Sequence, residues 1–270
     1  MAAAAAETLN TTAHHNKGKV LVGMSSADYI RTSDNKKHAT GFFLRELGRP
    51  LIKLLEAGYD VEFANPQGNP PALDPMSDNK IWFPMSLGAE KEHEKQLLER
   101  LGVEKNFKNP RRFADIGDQE LVGYAGIFLP GGHAPMTDLW NDKDLGRILM
   151  HFHNRSKPTG IICHAPVALL STTLVQPKPW TYEGYQMTCY SNAEEKMNEM
   201  LWRSSLQFKA EDALRNSGAI MKEALPMMPN VVEDRELITG QGPTSADRLG
   251  DALVKALDQS LGAVQGLAGA

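Results

Sequence analysis

The stretch "KPTGIICHAPVALL", Lys157 to Leu170, decides how the rest of the chain is read. A short apolar run ends on Cys163, a histidine follows at once, and small residues with a proline come next. "PTGIIC" has the composition of a buried strand, and "APVALLSTTLV" that of the helix after it. A cysteine at such a strand-to-helix junction is lifted above the end of a sheet and can be held in a strained backbone conformation. The partial positive charge of the helix N-terminus favours thiolate over thiol, so a lowered Cys163 pKa is expected. The competing reading is a buried structural cysteine, the usual state of a free thiol. Ile161 and Ala165 stand where the familiar G-x-S-x-G elbow has glycines, so the adjacent His164 and the junction carry the reading.

Working outward, "KVLVGMSS" (Lys19 to Ser26) is an apolar strand ending in small residues, followed by a polar loop over "ADYIRTSDNKKHATG". "FFLRELGRPLIKLLEAG" has apolar residues at helical spacing, with Gly58 placed as a C-cap glycine. Pro50 inside it is expected to kink or divide the helix. "YDVEFANP" alternates like a strand, which completes the strand–helix–strand unit of a parallel α/β sheet. "YAGIFLPGG" (Tyr124 to Gly132) is a further buried strand ending in a glycine pair. "DKDLGRILMHFHNRSK" reads as a helix starting near Asp142 or Asp144. "YQMTCYS" reads as a further strand, and the segment from Asn192 contains helical stretches. "VVEDRELITGQGP" reads as a hairpin turning at Glu233–Asp234, and "SADRLGDALVKALDQSL" as a closing helix.

Residues 68–116 break this rhythm with a loop, a charged helix and a return segment, and are read as a cap insertion over one edge of the core. The domain plan is an arm at 1–17, one domain at 18–260 and a tail at 261–270. The arm, five alanines followed by polar residues, lacks the charged start and apolar centre of a secretory signal.

The 270 residues carry a net charge of −4 and are 41% hydrophobic, enough for a substantial core and without the basic face that nucleic acid would need. No apolar run approaches a membrane span. Two cysteines, Cys163 and Cys189, cannot staple such a chain or build a thiolate zinc site, and they fit a reducing, cytoplasmic setting. No cofactor or metal is expected. Cys189 is read as packing in a strand, Trp180, Trp202 and the "ALPMMPNV" cluster as core packing in preference to lining a pocket or an interface, and His93 as part of a solvated helix face.

The glycines of "FLPGGHAP" allow close backbone approach and point N–H groups at whatever binds there, so Gly131 and Gly132, with the His164 N–H, can stabilise an oxyanion. His133 either lines or caps this loop, and it is grouped with Gly131 and Gly132 as a candidate oxyanion- or substrate-binding residue.

Taken together, "ATGFFLRELGRPLIKLLEAGYDVEFANPQG", "YAGIFLPGGHAPMTDLWND", "GIICHAPVALL" and "ELITGQGPTSADRLGDALVKAL" resemble the ThiJ/PfpI superfamily, over residues 18–258. Within it the chain is similar to the branch of 31-kilodalton heat-shock chaperones and glyoxalase III enzymes. The resemblance implies a class I glutamine-amidotransferase-like fold: a flavodoxin-like three-layer sandwich with a mostly parallel sheet, a nucleophile elbow and inserted cap segments. It also implies that Cys163 is the nucleophile, His164 its partner, and Glu46 of "TG-x-x-x-x-E" an acid beneath the thiol that shares a proton with it. The third catalytic residue falls in "CYSNAEEKMNE", where Glu195 is the better match and Glu194 its adjacent rival. Gly131 and Gly132 match the oxyanion loop.

The activity implied is that of a glutathione-independent glyoxalase III, a D-lactate dehydratase converting methylglyoxal and water to D-lactate through a Cys163 hemithioacetal. The alternatives are a holdase chaperone for unfolded clients, or a thiol hydrolase or deglycase acting on peptides or glycated amines. A glutamine amidotransferase fits less well, because His164 adjoins the cysteine instead of pairing with a glutamate late in the chain. A homodimer and a stress-response role are further expectations from the resemblance.

Overall fold

Val20, Leu21 and Val22 are all fully buried, yet they point into two different cores. Leu21 belongs to one apolar cluster; Val20 and Val22 belong to the other. That is the period-2 alternation of a strand covered on both faces. The computed structural model describes residues 16–83 and 88–268. Residues 1–15 of the expected arm, 84–87 of the expected cap insertion and 269–270 of the expected tail lie outside them.

The main sheet has seven strands: β1 (Lys19–Gly23), β2 (Asp60–Asn65), β3 (Arg111–Arg112), β4 (Tyr124–Leu129), β5 (Thr159–Ile162), β6 (Val231–Asp234) and β7 (Leu237–Gly240). Their order is β6-β7-β5-β4-β1-β2-β3, and only the edge strand β6 runs antiparallel. The register sets like beside like. Leu21 lies opposite Ile127 and Leu129 opposite Ile161, all in one core, while Phe128 and Ile162 turn to the other.

Helices cover both faces, giving the expected three layers. On one side lie α1 (Leu44–Glu56), α2 (Ala89–Glu104) and α6 (Ala246–Ala268), which place Leu47, Leu51, Leu97, Leu101, Leu249 and Leu253 in one core. On the other lie α3 (Lys143–Asn154) and the helical run after β5. Asp142 caps α3, its carboxylate accepting from the Leu145 N–H at 2.7 Å. Two further helices are α4 (Asn192–Trp202) and α5 (Ala210–Asn216), which pack against each other.

Several expectations change. Pro50 does not divide α1, which runs as one helix from Leu44 to Glu56, since burial of Leu47, Leu51 and Leu54 outweighs the lost hydrogen bond. The polar loop after β1 contains a small hairpin, Tyr29–Arg31 with Lys37–Ala39. The late hairpin turns at Arg235–Glu236, with Arg235 at φ 57°, two residues beyond the expected turn. The closing helix continues to Ala268. The methionines of "ALPMMPNV" are not core: Leu225, Met227 and Met228 are exposed. Trp180 and Cys189 are buried and His93 is exposed, as read from sequence.

Candidate active site

Three chain segments meet at the carboxyl ends of β4 and β5, where open parallel sheets bind ligands. β5 ends at Ile162, and Cys163 follows with φ 65°, the left-handed region that a side chain disfavours. Its backbone is held on both sides. The Cys163 N–H donates to the Gly240 carbonyl at 2.9 Å, and its carbonyl accepts from the Tyr190 N–H at 2.8 Å. The run Ala165–Leu174 is a 3-10 helix, not the α-helix expected. Pro166 opens it, and Ser171, Thr172 and Thr173 donate their hydroxyls to the carbonyls of Ala168, Leu169 and Leu170, which tightens the turns.

Cys163 Sγ lies 3.1 Å from His164 Nδ1, and His164 Nε2 lies 2.5 Å from Glu195 Oε2. An ionised carboxylate only accepts, so Nε2 carries the proton and Nδ1 is free to take one from the thiol. Burial works to raise the Glu195 carboxyl, but His133 and His164 together outweigh it and hold it well below the usual carboxylate range. Its second oxygen, Oε1, lies 3.0 Å from His133 Nε2 and accepts from Asn198 Nδ2 at 3.4 Å. The rival Glu194 is committed elsewhere. It forms a capping box with Ser191 at the start of α4 and binds the Met227 N–H and Gln241 Nε2.

Glu46, on α1, is completely buried, and neither carboxyl oxygen has a hydrogen-bond partner of normal geometry among the described residues. It lies beside the thiol: a Cβ added to Gly131 would fall 2.4 Å from both Glu46 Oε2 and Cys163 Cβ. Burial pushes Glu46 well above the ordinary carboxyl value, and the charges of Asp74 and Glu194 add to this, so the carboxyl is neutral. Burial also pushes the Cys163 thiol up, with the Glu46 charge adding to the effect. The lowered thiol expected from sequence is therefore not what the resting site has. Enclosure of the sulfur outweighs the end of a short 3-10 segment, and the thiolate depends on His164 to take its proton. Burial likewise lowers His164, and the neighbouring His133 lowers it further.

The glycine pair is explained by close approach. Gly131 has no room for a side chain between Cys163 and Glu46, and Gly132 sits at φ 104° with a would-be Cβ only 2.1 Å from the Gly41 carbonyl. The Gly132 N–H faces the thiol and Glu46 and favours the charged form of each. That is the environment an oxyanion needs.

Above the sulfur is a pocket of about 50 Å³. Phe43, Met76, Trp82 and Tyr190 form its apolar walls, and Asp74 and Asn198 add polar atoms. Roughly 10–15 Å³ of such space holds one water, so the pocket takes only a few non-hydrogen atoms. The Tyr190 ring lies 4.5 Å from that of His164 and 32° from parallel, which fixes the imidazole plane. Trp202 lies against His133 at 4.9 Å.

All seven residues singled out from sequence, Cys163, His164, Glu195, Glu46, Gly131, Gly132 and His133, thus gather at one place. Tyr190, Asn198 and Asp74 were missed. One signal was available: "SNAE" at 191–194 is a capping-box pattern that commits Glu194 and leaves Glu195 free.

Donor atoms of His133, His164 and Glu195 lie within 4.8 Å of one another, close enough to read as a two-histidine, one-carboxylate metal set. Both carboxylate oxygens, however, already face protonated Nε2 atoms at 2.5 and 3.0 Å, so the cluster is internally satisfied by hydrogen bonds.

The sequence and the fold have counterparts in known proteins. The protein/nucleic acid deglycase HchA of Staphylococcus aureus strain MSSA476 is 28% identical over 255 residues, covering 92% of this chain and 82% of that one. The rapid encystment protein REP24 of Francisella tularensis superposes with a TM-score of 0.73 at 24% identity, covering 89% of this chain and 99% of that one. Glyoxalase III from Candida albicans does so with a TM-score of 0.71 at 21% identity, covering 89% and 98%. The DJ-1/PfpI family model matches residues 39–256, most of the chain and every element of the site just described, and the chain belongs to the DJ-1/PfpI (ThiJ/PfpI) family.

Proposed function

We propose that this protein is a glutathione-independent glyoxalase III that converts methylglyoxal and water to D-lactate. The observation that carries this reading is the buried relay Cys163–His164–Glu195, at 3.1 and 2.5 Å, beneath a pocket of about 50 Å³. A pocket of that size suits a five-heavy-atom carbonyl and excludes a bulky one.

The thiol proton passes to His164 Nδ1 as sulfur attacks the aldehyde carbon, giving a hemithioacetal. The Gly132 N–H favours the negative oxygen as it forms. His164 Nδ1 hands that proton to the oxygen and, unprotonated there again and steered by Glu195, then moves a proton from the aldehyde carbon to the neighbouring carbon through an enediol, leaving a 2-hydroxy thioester. Water cleaves the thioester, releasing lactate and restoring the thiol. Glu46, neutral and beside the sulfur, is placed to hold a substrate oxygen or pass it a proton.

The test is lactate formation by purified protein from methylglyoxal alone. Cys163→Ala is expected to abolish it while leaving the fold intact. Turnover retained in that variant, or none in the parent at high enzyme concentration, overturns the reading.

The relative named as a deglycase supports a second reading, in which the same thiol meets a carbonyl already joined to an amine. Release of free amine from a glycated amino acid, faster than loss of free methylglyoxal, would favour it. The exposed Met197, Met200, Leu201, Leu225 and Met228 support a third proposal, a surface for unfolded clients or for a homodimer. Cys163→Ala protein suppressing client aggregation would favour the chaperone role.

A further inference from the structure

The Tyr190 hydroxyl has a proton and, among the described residues, no acceptor for it. Its oxygen meets Asn198 Nδ2 at 3.2 Å. The same nitrogen lies 3.4 Å from Glu195 Oε1. An ionised carboxylate only accepts, so this end of the Asn198 amide is its NH2 group, with one proton for Glu195 and one for the Tyr190 oxygen. The phenol therefore accepts from Asn198 and keeps its own O–H free. Burial raises the phenol well above its ordinary value and charge on Cys163 adds to the effect, so the O–H stays in place at any working pH.

This free donor belongs to the site. Tyr190, Asn198, His164 and Cys163 line the same pocket of about 50 Å³. The Tyr190 ring lies 4.5 Å from the His164 ring, and its N–H is bonded to the Cys163 carbonyl at 2.8 Å, so the phenol is fixed to the elbow. Asp74, also in the pocket wall, is already committed: its carboxylate accepts from Thr40 Oγ1 at 2.6 Å and from the Met76 N–H at 2.8 Å. A 2-oxoaldehyde brings two oxygens into this space. The Gly132 N–H serves the one on the attacked carbon, and the other loses its water on entry and needs a donor of its own.

We propose that Tyr190 is a further catalytic residue, whose O–H donates to the second carbonyl oxygen of the substrate and fits the site to 2-oxoaldehydes over simple aldehydes. This role rests on the glyoxalase reading given above. In the hemithioacetal the second carbonyl is intact, and Tyr190 holds it by a neutral hydrogen bond. His164 Nδ1 then takes the proton from the carbon that bears sulfur. The pair of that C–H bond becomes the carbon–carbon double bond, and the π pair of the second carbonyl moves onto its oxygen. Negative charge thus develops at the atom that Tyr190 holds, and the bond strengthens as the transition state is reached. His164 returns the proton to the second carbon, and the hydroxyl proton of the first oxygen passes to the second. This leaves the 2-hydroxy thioester, and Tyr190 keeps its own proton throughout.

The experiment uses Tyr190→Phe, which keeps the ring against His164 and removes only the oxygen. Capture of an aldehyde by Cys163 is read as protection from iodoacetamide in a rapid quench. It is measured with methylglyoxal and with isobutyraldehyde, which has a methyl group where methylglyoxal has its second oxygen. Lactate formation from methylglyoxal is measured beside it. In the variant, isobutyraldehyde capture is expected within about twofold of the parent, methylglyoxal capture about fivefold weaker and lactate formation about 50-fold slower. Tyr190→Met repeats the comparison if the Phe variant does not fold, with isobutyraldehyde reporting any disturbance of His164.

Lactate formation at the parental rate in the variant overturns the proposal. So does equal weakening with both aldehydes, which would make the hydroxyl a support for Asn198 and Glu195 only. A parent that captures methylglyoxal yet makes no lactate defeats the glyoxalase reading, and the contrast between the two aldehydes then decides whether Tyr190 holds the second oxygen. A parent that captures neither aldehyde overturns both.

Discussion

His164 Nε2 and Glu195 Oε2 stand 2.5 Å apart, whereas Glu194, one residue earlier on the same helix, turns to the Ser191 cap. Adjacent positions on a helix point about 100° apart, so two neighbouring carboxylates serve two different structures. Glu195→Gln is expected to lower turnover by about 10³–10⁴-fold with the fold unchanged, because an amide can hold His164 in the wrong tautomer. Glu194→Ala is expected to leave turnover within a few-fold and cost about 1–3 kcal/mol in denaturant unfolding, from the lost cap and its buried hydrogen bonds. The reverse pattern would exchange the two roles.

Glu46 and Cys163 form an interacting buried pair: burial raises both, the Glu46 charge raises the thiol further, and the neighbouring thiol works to lower Glu46. Such a pair loses its protons in two macroscopic steps that belong to neither residue alone. The pH profile of iodoacetamide alkylation at Cys163 is therefore expected to rise in two steps in the parent and in one step in Glu46→Gln. Superimposable profiles would show that the two groups titrate independently.

The layers of the fold were legible because β1, β4 and β5 are short apolar runs bounded by glycine, proline or polar residues, and because α1 and α6 keep helical spacing. Cys163 and the Gly131–Gly132 pair were legible because they stand at backbone positions that few residues tolerate. The Tyr29–Arg31 hairpin was not, since three-residue strands around a wholly polar turn leave no periodic signal. Nor were Tyr190 and Asn198. Tyr190 is set by a backbone bond to Cys163, far away in the chain, and Asn198 by a carboxylate whose own partner was in doubt. The exposed methionines of the 225–228 segment were misread because apolar composition reports what a side chain prefers, not whether the fold has room to cover it.

Cys163 is held at φ 65°, which carries a prediction about its replacements. At an ordinary buried position Ala→Gly costs about 2 kcal/mol, roughly 1 from backbone entropy and 0.8 from the lost carbon. In the left-handed region Ala itself is strained by about 1–2 kcal/mol, and Gly is not. The two effects nearly cancel, so Cys163→Gly and Cys163→Ala are expected to unfold within about 0.5 kcal/mol of each other. A gap of the ordinary size, with Ala the more stable, would show that the elbow stores no strain.

Glu94 on α2 is fully buried against Gly48 of α1, and neither of its carboxyl oxygens has a hydrogen-bond partner among the described residues. Burial raises its pKa from an ordinary 4.5 to about 8, although the Arg45 and Arg49 charges work against the shift. The folded chain therefore keeps a proton that the unfolded chain releases above about pH 4.5. The resulting stability is complete below that pH and is lost progressively as pH rises toward 8. Asp138, raised by burial to about 6, acts in the same direction over a narrower window. Glu94→Gln cannot ionise, so it removes the larger part of this slope. Compared with the parent, it is expected to gain about 4 kcal/mol between pH 4.5 and pH 8. Thermal unfolding at those two pH values measures the difference directly. Parallel pH dependence in the two proteins would mean that Glu94 finds a counter-charge or water in the folded state.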